Sequence, residues 1–294
     1  MRRGPLLIIT ASAVFFAVMA FAAKLAAVRL SGSEIAFMRF AVMLVPLVAV
    51  PRLARHALDF QRLDLLVYRG VFGGTAVLLY FLALAHIPVG MATLLNYTSP
   101  VFSVAFAALF LGERVDRRLL APLAAALSGM ALAAGGGASV SGSSAGGSLL
   151  HFSLWEAVGI ASAVLSGAAL AAIRAARRTE GSWSIYGSFS LCGLLATAPF
   201  ALPGFQRPTA REWGLLAAVG LCSVIAQLLM TYAYRWVTNL QAGVISQLTV
   251  VLSILLGAVF LGDRLTAVQT VGSLLTLGGV MGVVWLQATP RAVE

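Results

Sequence analysis

Long runs of apolar residues alternate with short polar connections along almost the whole chain. Ten runs can be counted, at residues 6–28, 34–51, 64–85, 88–111, 119–137, 153–173, 185–203, 213–234, 239–261 and 266–287. The hydrocarbon core of a bilayer is about 30 Å thick, and an α-helix needs about 20 apolar residues to cross it. The pattern therefore predicts an all-α integral membrane protein with ten transmembrane helices.

A Gly/Ser-rich stretch at residues 138–152 interrupts this pattern in the middle of the chain and is typical of a flexible linker. It separates a first unit of five predicted helices, residues 1–137, from a second unit of five, residues 153–288. Residues 289–294 are predicted to form a short tail. We therefore expect two units of equal helix number.

The two units are copies of one another, offset by 150 residues. Ala-Ser-Ala-Val at 11–14 recurs at 161–164, and Leu-Gly-Glu-Arg at 111–114 aligns with Leu-Gly-Asp-Arg at 261–264. Chance rarely repeats a charged block in apolar sequence, so the offset indicates an internal duplication. Because each copy has an odd number of spans, the second must enter the membrane upside down. The sequence thus predicts two inverted five-helix repeats around a central cavity.

Composition agrees with a membrane protein and excludes several functions. The chain is 60% hydrophobic and 10% charged, whereas soluble domains carry about 25% charged residues. The net charge of +10 could indicate nucleic-acid binding in a soluble protein, but here the arginines cluster between apolar runs, and we expect no nucleic-acid partner. Cys192 and Cys222 lie within predicted spans and the histidines lie in predicted loops, so we expect no metal site and no cofactor.

The arginines also predict the orientation of the protein. With the amino terminus in the cytoplasm, thirteen arginines near span ends face inwards. Only four face outwards: Arg29, Arg207, Arg211 and Arg264. The positive-inside rule therefore favours a multi-pass protein of the cell (inner) membrane with both termini in the cytoplasm.

The fourth predicted span carries an informative polar pattern. Pro100 has no N–H to donate to the carbonyl of Asn96, which frees a backbone acceptor at membrane depth, where it must face protein or water. One helical face carries Asn96, Ser99 and Ser103. The second copy repeats this stripe in the ninth span as Ser246, Thr249 and Ser253. Such residues either line a central cavity or permit close helix packing, and the sequence leaves both interpretations open.

Larger polar side chains within the predicted spans extend the candidate solute site. They are Tyr80, Tyr97, Gln227, Tyr232 and Gln247. Aromatic and amide groups suit amphipathic solutes, although each one alone is more simply explained as an interface anchor or an interhelix hydrogen bond. As a set, they modestly favour a pocket.

Charged residues inside the predicted spans are few and positive. Lys24 and Arg174 lie near span ends and Arg69 near a span start, whereas Arg39 lies deeper and needs a partner or water. We expect structural or gating roles for Lys24 and Arg39, with Arg39 tying helix ends or loops together. No carboxylate lies at mid-membrane, which disfavours proton-coupled antiport of cationic drugs.

The repeated Leu-Gly-acid-Arg blocks predict tight helical hairpins. Gly112 and Gly262 can each end a helix in the left-handed conformation. The acidic residue that follows then precedes the next helix, where negative charge is favourable. We expect these glycines, like Pro100, to shape the structure without touching solute.

Together these motifs resemble the EamA-type branch of the drug/metabolite transporter (DMT) superfamily. The resemblance is carried by Arg39 in Phe-Met-Arg-Phe, by Asn-Tyr-Thr-Ser-Pro-Val-Phe at 96–102 and by the two Leu-Gly-acid-Arg blocks, and it covers nearly the whole chain. It implies ten helices, a central cavity, alternating access and commonly the export of amino acids or other metabolites, as in YddG-type exporters. Val250 stands where the first copy has Pro100, so we expect the ninth span to be straighter.

The leading hypothesis is a transporter, not an enzyme, that exports amino acids or similar amphipathic solutes. Its expected partners are a small-molecule solute and the lipid bilayer, and a monomer is compatible with this function. An importer or exchanger of the same fold stays open, because inverted repeats work in either direction. An integral-membrane lipid-modifying enzyme is disfavoured, because the chain has no cluster of Asp or His at the membrane interface.

Overall fold

A computed structural model describes residues 3–111, 117–135, 153–176, 179–233 and 239–288. The first unit contains α1 (Arg3–Ala26), α2 (Gly32–Ala49), α3 (Pro51–Leu58), α4 (Leu63–His86), α5 (Val89–Asn96), α6 (Ser99–Leu111), a 3₁₀ turn (Arg117–Leu119) and α7 (Leu120–Gly135). The second contains α8 (Leu154–Ala176), α9 (Ser182–Ala201), α10 (Ala210–Ala233), α11 (Asn239–Leu256), a π-helical segment (Gly257–Leu261) and α12 (Ala267–Ala288). The predicted linker, the predicted tail and Gly112 lie outside these ranges.

Within the described residues, eight helices are long and apolar enough to cross a bilayer. They are α1, α2, α4, α7 with its 3₁₀ turn, α8, α9, α10 and α12. The fourth and ninth predicted spans coincide with less regular elements, the pair α5 and α6 and the pair α11 and its π-helical segment. The predicted all-α membrane fold is thus confirmed. No β-strand occurs in the ranges described.

The short helix α3 was not predicted. It begins at Pro51, whose fixed φ suits a first helical position, and none of its residues is buried. Ser184 at the start of α9 holds it in place by hydrogen bonding, with its Oγ 3.0 Å from the carbonyl oxygen of His56 and 2.8 Å from that of Asp59. The helix therefore lies on the surface of the bundle.

Four helices begin with the same side-chain arrangement. A hydroxyl residue precedes the helix, and a Glu or Gln three residues later bonds back to it, which satisfies otherwise unpaired N–H groups. The pairs are Ser31 with Glu34, Ser153 with Glu156, Thr209 with Glu212, and Thr266 with Gln269. Helices α2, α8, α10 and α12 start here, and we name this side of the bundle the capped end.

The two units pack against each other through matched helices. Helix α4 lies against α8 and α9, α10 lies against α1 and α2, and α7 lies against α12. Two hydrogen bonds reveal the relation between these contacts. Ser12 Oγ donates to the carbonyl of Ala226 over 2.8 Å, and Ser162 Oγ donates to the carbonyl of Ala76 over 2.7 Å. Donors and acceptors are both 150 residues apart, so the contact is reciprocal, as across a two-fold axis.

The contact between α7 and α12 is reciprocal in the same way. A Cβ added to Gly129 would lie 2.4 Å from the backbone N of Thr276, and one added to Gly279 would lie 2.4 Å from the backbone N of Ala126. These positions again pair across the 150-residue offset. The glycines permit this close approach, because any side chain there would overlap the backbone of the opposite helix.

Candidate functional site

The fourth predicted span is broken in the middle. Helix α5 ends at Asn96 and α6 begins at Ser99, so Pro100 occupies the first turn of α6, where its missing N–H costs least. The N–H of Thr98 turns back to the carbonyl of Leu95, only three residues away. The predicted continuous face of Asn96, Ser99 and Ser103 is therefore interrupted. By contrast, α11 runs unbroken through Val250.

Asn96 joins the two units at this break. Its Nδ2 donates to Ser162 Oγ over 2.7 Å and lies 3.2 Å from Ser166 Oγ, both on α8. Ser162 is also the residue that bonds to α4, so one small polar network connects α4, α5 and α8. Any movement of one unit past the other must rearrange this network.

Arg39 lies in the interior of the bundle. Arg39 is only 4% exposed, and its Nε donates to Ser223 Oγ on α10 over 2.9 Å. The guanidinium carbon lies 5.2 Å from the ring centre of Phe40 and 5.9 Å from that of Phe189 on α9, within the range of cation–π attraction. Arg39 therefore ties α2 to the second unit, but through the middle of two helices and not through their ends.

Arg69 is a second buried arginine, 8% exposed, on α4. Its guanidinium carbon lies 4.2 Å from the ring centre of Phe189, so both arginines share this ring. Gly73, one turn further along α4, provides the space, because a Cβ there would lie 1.8 Å from Arg69 Nη1. An alanine at position 73 would displace the guanidinium.

These two charges lack acidic partners among the residues that the structure describes. Neither forms an ion pair with a carboxylate there, and Arg39 Nη1 and Arg69 Nε are buried without a hydrogen-bond partner. A single arginine at the centre of a membrane helix costs about 2.5–3.5 kcal/mol on insertion scales. Two such residues side by side are expensive, and aromatic rings offset only part of the cost.

Three tyrosines lie in the neighbourhood of Arg39. Tyr80, Tyr97 and Tyr186 are close enough to interact electrostatically with its charge. Tyr80 shares a hydrogen bond of 3.1 Å with Thr93, and Tyr186 donates to the carbonyl of Met43 over 2.7 Å. The structure therefore brings two predicted site residues, Tyr80 and Tyr97, into the same region as Arg39.

The remaining predicted site residues lie at different depths. Ser99, Ser103, Gln247 and Thr249 are buried, Gln227 and Ser246 are half-buried, and Tyr232 is 53% exposed. Thr249 Oγ1 donates to the carbonyl of Ala13 on α1 over 3.2 Å, which is an interhelix contact. Their roles in solute binding stay predictions.

Lys24 joins α1 to the end of α4 at the capped end of the bundle. Its Nζ lies 2.9 Å from the carbonyl oxygen of Leu84, 3.3 Å from that of Ala85 and 2.8 Å from that of Ile87, at the end of α4. The positive charge thus neutralises the carbonyl groups that end a helix. Outside the spans at the same end, Arg29 donates to Glu212 over 2.7 Å, and this bond raises the pKa of Arg29.

Gly262 has the predicted left-handed conformation, with φ of 69° and ψ of 20° at the end of the π-helical segment. The acid that follows acts across the units: Asp263 Oδ2 accepts a 3.3 Å hydrogen bond from the N–H of Val89, the first residue of α5. It therefore caps a helix of the other unit, which the sequence did not predict. In the described ranges, no three His, Cys, Asp or Glu side chains gather as metal ligands.

Comparison with known proteins identifies the family. The model of the EamA-like transporter family matches residues 3–135 and 153–285, one match on each side of the Gly/Ser-rich stretch. The chain belongs to the EamA-like transporter family. This membership confirms the resemblance to the DMT superfamily seen in the sequence, and the protein is a transporter and not an enzyme.

Relatives of this EamA-like transporter include an exporter. The pseudopaline exporter CntI of Pseudomonas aeruginosa, found in two strains, is 34% identical over 235 residues, which cover 80% of this chain and 79% of the relative. An uncharacterized transporter of Helicobacter pylori strain J99 is 26% identical over 208 residues, or 67% of this chain and 65% of the relative. A solved crystal structure covers 98% of both chains at 21% identity with a TM-score of 0.61, a likeness of fold alone.

Sequence reasoning undervalued Arg69 in this EamA-like transporter. The sequence placed it near a span start and assigned it no role, whereas the structure buries it. A usable signal was present in the glycines at positions 70, 73 and 74, since small residues one turn from a charge permit a second helix to approach closely and cover it. The covering helix, α9, comes from the other unit, and its position required the fold.

Proposed function

We propose that this EamA-like protein exports small polar or zwitterionic organic metabolites, amino acids among them, by alternating access. The observation that carries the proposal is its 34% identity, over four fifths of the chain, to a metabolite exporter. The buried polar groups shared between the units support it, because alternating access needs a solute site that both units contact. The identity does not single out amino acids, so they are one candidate class within the proposal.

We further propose that the units are inverted repeats that together span the membrane ten times. The reciprocal bonds of Ser12 with Ala226 and of Ser162 with Ala76 support a two-fold relation between them. Five spans in each unit make this axis lie in the membrane plane, since the second copy then runs in the opposite sense. The units correspond to residues 1–137 and 153–288, with the linker at 138–152 and a cytoplasmic tail at 289–294.

The proposed solute site lies between the units at the level of the break between α5 and α6. Its proposed members are Tyr80, Asn96, Tyr97, Ser99, Ser103, Gln227, Tyr232, Ser246, Gln247 and Thr249. The contact of Asn96 with α8 and the closeness of Tyr80 and Tyr97 to Arg39 support this location. Lys24, Arg39, Pro100, Gly112 and Gly262 are proposed to shape or gate the structure around it.

The proposed location is the inner membrane, with both termini in the cytoplasm, because the arginines outside the spans concentrate on one side. Fusion of a fluorescent protein or of alkaline phosphatase to residue 294 tests the orientation. A fluorescent, phosphatase-inactive carboxyl terminus is expected. Active phosphatase at this terminus would reverse the orientation.

The direction of transport is tested in growing cells. Cells that express the protein and cells with an empty vector are compared by metabolite profiling of the medium. An exporter enriches the medium in its solute. Selective depletion of a solute from the medium would instead support an importer, which is the alternative for the same fold.

A further inference from the structure

We propose that Arg39 and Arg69 form a buried arginine pair that binds a solute carrying two carboxylates. This inference rests on the proposed transport function and deepens it, because it names the chemical class of the solute. It adds solute binding to the structural or gating role expected of Arg39.

The first support is the balance of charge. Two buried guanidinium groups lie near one ring, and within the described residues no carboxylate pairs with either. Arg39 Nη1 and Arg69 Nε retain unused donor capacity at buried positions. A guanidinium presents a planar fork of N–H groups that matches a carboxylate, so two of them match two carboxylates.

The second support is the position of the arginine pair relative to the two-fold relation. Arg39 and Phe189 occupy equivalent positions in the two units, 150 residues apart, and so do Ser223 and Gly73. Arg39 contacts Ser223, and Phe189 lies 3.2 Å from a Cβ built on Gly73, so these contacts are reciprocal. Arg39 also faces its own equivalent, Phe189, which is possible only near the axis itself.

The third support is the departure from symmetry at this point. Where the first unit has an arginine the second has a phenylalanine, and where the second unit has a serine the first has a glycine. The space left at Gly73 is filled by Arg69, whose own equivalent is Val219. Both positive charges therefore come from the first unit and lie near the axis. In a transporter with inverted repeats, a solute bound at this axis can be exposed to either side of the membrane in turn.

A purely structural role for the two arginines predicts a different outcome. Replacing a buried, unpaired charge by a neutral group of similar size is often neutral or stabilising, and it would not change the response to any solute. A binding role predicts that the same substitution abolishes the response to acids. The response to solute therefore separates the two roles better than stability does.

The test measures thermal unfolding of the purified full-length protein in detergent with four probes. These are short aliphatic dicarboxylates, the matching monocarboxylates, the dimethyl esters of the same dicarboxylates, and inorganic phosphate. We expect the dicarboxylates to raise the melting temperature in a concentration-dependent way, because a ligand that binds only the folded state stabilises it. The esters, which keep the shape and lose the charge, should have no effect.

Three variants locate the effect. Arg39→Gln and Arg69→Gln should each weaken the apparent dicarboxylate affinity by about tenfold or more, the loss typical of a hydrogen bond to a charged group. Arg52→Gln is the matched control, since Arg52 is exposed on α3, and it should bind as the wild type does. If the two buried variants do not fold, the comparison of dicarboxylates with esters and phosphate on the wild-type protein still tests the proposal.

Two results would overturn the proposed binding by the arginine pair: stabilisation by esters equal to that by dicarboxylates, or stabilisation by phosphate with none by carboxylates. Counterflow in proteoliposomes separates this inference from the function on which it rests. Transport of solutes without an acidic group, combined with no dicarboxylate binding, would refute dicarboxylate binding by the arginine pair and leave the transport function standing. Dicarboxylate binding without transport of any solute would support the arginine pair and refute the proposed function.

Discussion

The reciprocal packing of α7 against α12 can be tested with single methyl groups. Gly129→Ala and Gly279→Ala each place a Cβ against the backbone of the opposite helix, whereas Gly278→Ala places one where no atom lies within 4 Å. All three glycines are in helix interiors. The substitutions are chemically identical and differ only in what the added methyl group meets.

The expected magnitudes follow from these distances. At Gly129 the new Cβ would lie 2.4 Å from the backbone N of Thr276, where an ordinary contact begins at 3.4 Å, so the helices must separate by about 1 Å. Overpacking of this kind costs about 1–3 kcal/mol. Alanine gains about 0.5–1 kcal/mol over glycine in a helix, and at Gly278 only this gain applies. Because the gain is common to both substitutions, the pair should differ by the overpacking cost alone, about 1–3 kcal/mol.

Thermal unfolding in detergent, followed by tryptophan fluorescence, measures the difference. At about 2–4 °C per kcal/mol, Gly129→Ala should melt about 2–12 °C below Gly278→Ala. Gly279→Ala should lose as much as Gly129→Ala, because the two sites are equivalent. Equal melting temperatures for Gly129→Ala and Gly278→Ala would refute the close contact, and unequal losses at Gly129 and Gly279 would refute its reciprocity.

Three further predictions concern the polar contacts. Lys24→Met leaves three carbonyl groups at the end of α4 without their hydrogen-bond donor. It should lower the free energy of unfolding by about 2 kcal/mol, which thermal unfolding measures. An unchanged melting temperature would show that water replaces the ammonium group. Asn96→Leu removes the contact with α8 and should slow transport in proteoliposomes about fivefold, with normal membrane insertion. Undiminished transport would show that Asn96 is not part of the solute site. Ser12→Ala deletes one bond of the reciprocal pair and should destabilise by about 1 kcal/mol. Ser162→Ala deletes the other bond and also the acceptor of Asn96, so it should destabilise by about 1–2 kcal/mol. A loss confined to one of these two variants would contradict the two-fold relation.

Local features of the fold could be read from the sequence because their causes are local. The disturbance of the fourth span at Pro100 follows from a missing N–H, although the sequence did not predict that the helix breaks there. The left-handed turn at Gly262 follows from a missing Cβ. The duplication was visible because charged blocks repeat at a fixed offset.

Long-range contacts could not be read in this way. Lys24 was expected to have a structural or gating role, but its three carbonyl partners on α4 depend on how α1 packs. Asp263 precedes α12 as expected, but its carboxylate caps α5 in the other unit, which was not predicted. The burial of Arg69 depends on Phe189, 120 residues further along the chain. In each case the partner comes from a different helix, and periodicity within one helix carries no information about it.

The central claim is that the protein carries a small organic solute across the membrane between its two units. Counterflow into proteoliposomes tests this most directly: vesicles are loaded with separate pools of unlabelled amino acids, carboxylic acids and other metabolites, with no imposed proton or sodium gradient. We expect labelled solute to accumulate against at least one pool, and most strongly against one that contains dicarboxylates. No accumulation against any pool, by protein that is folded and correctly inserted, would contradict it.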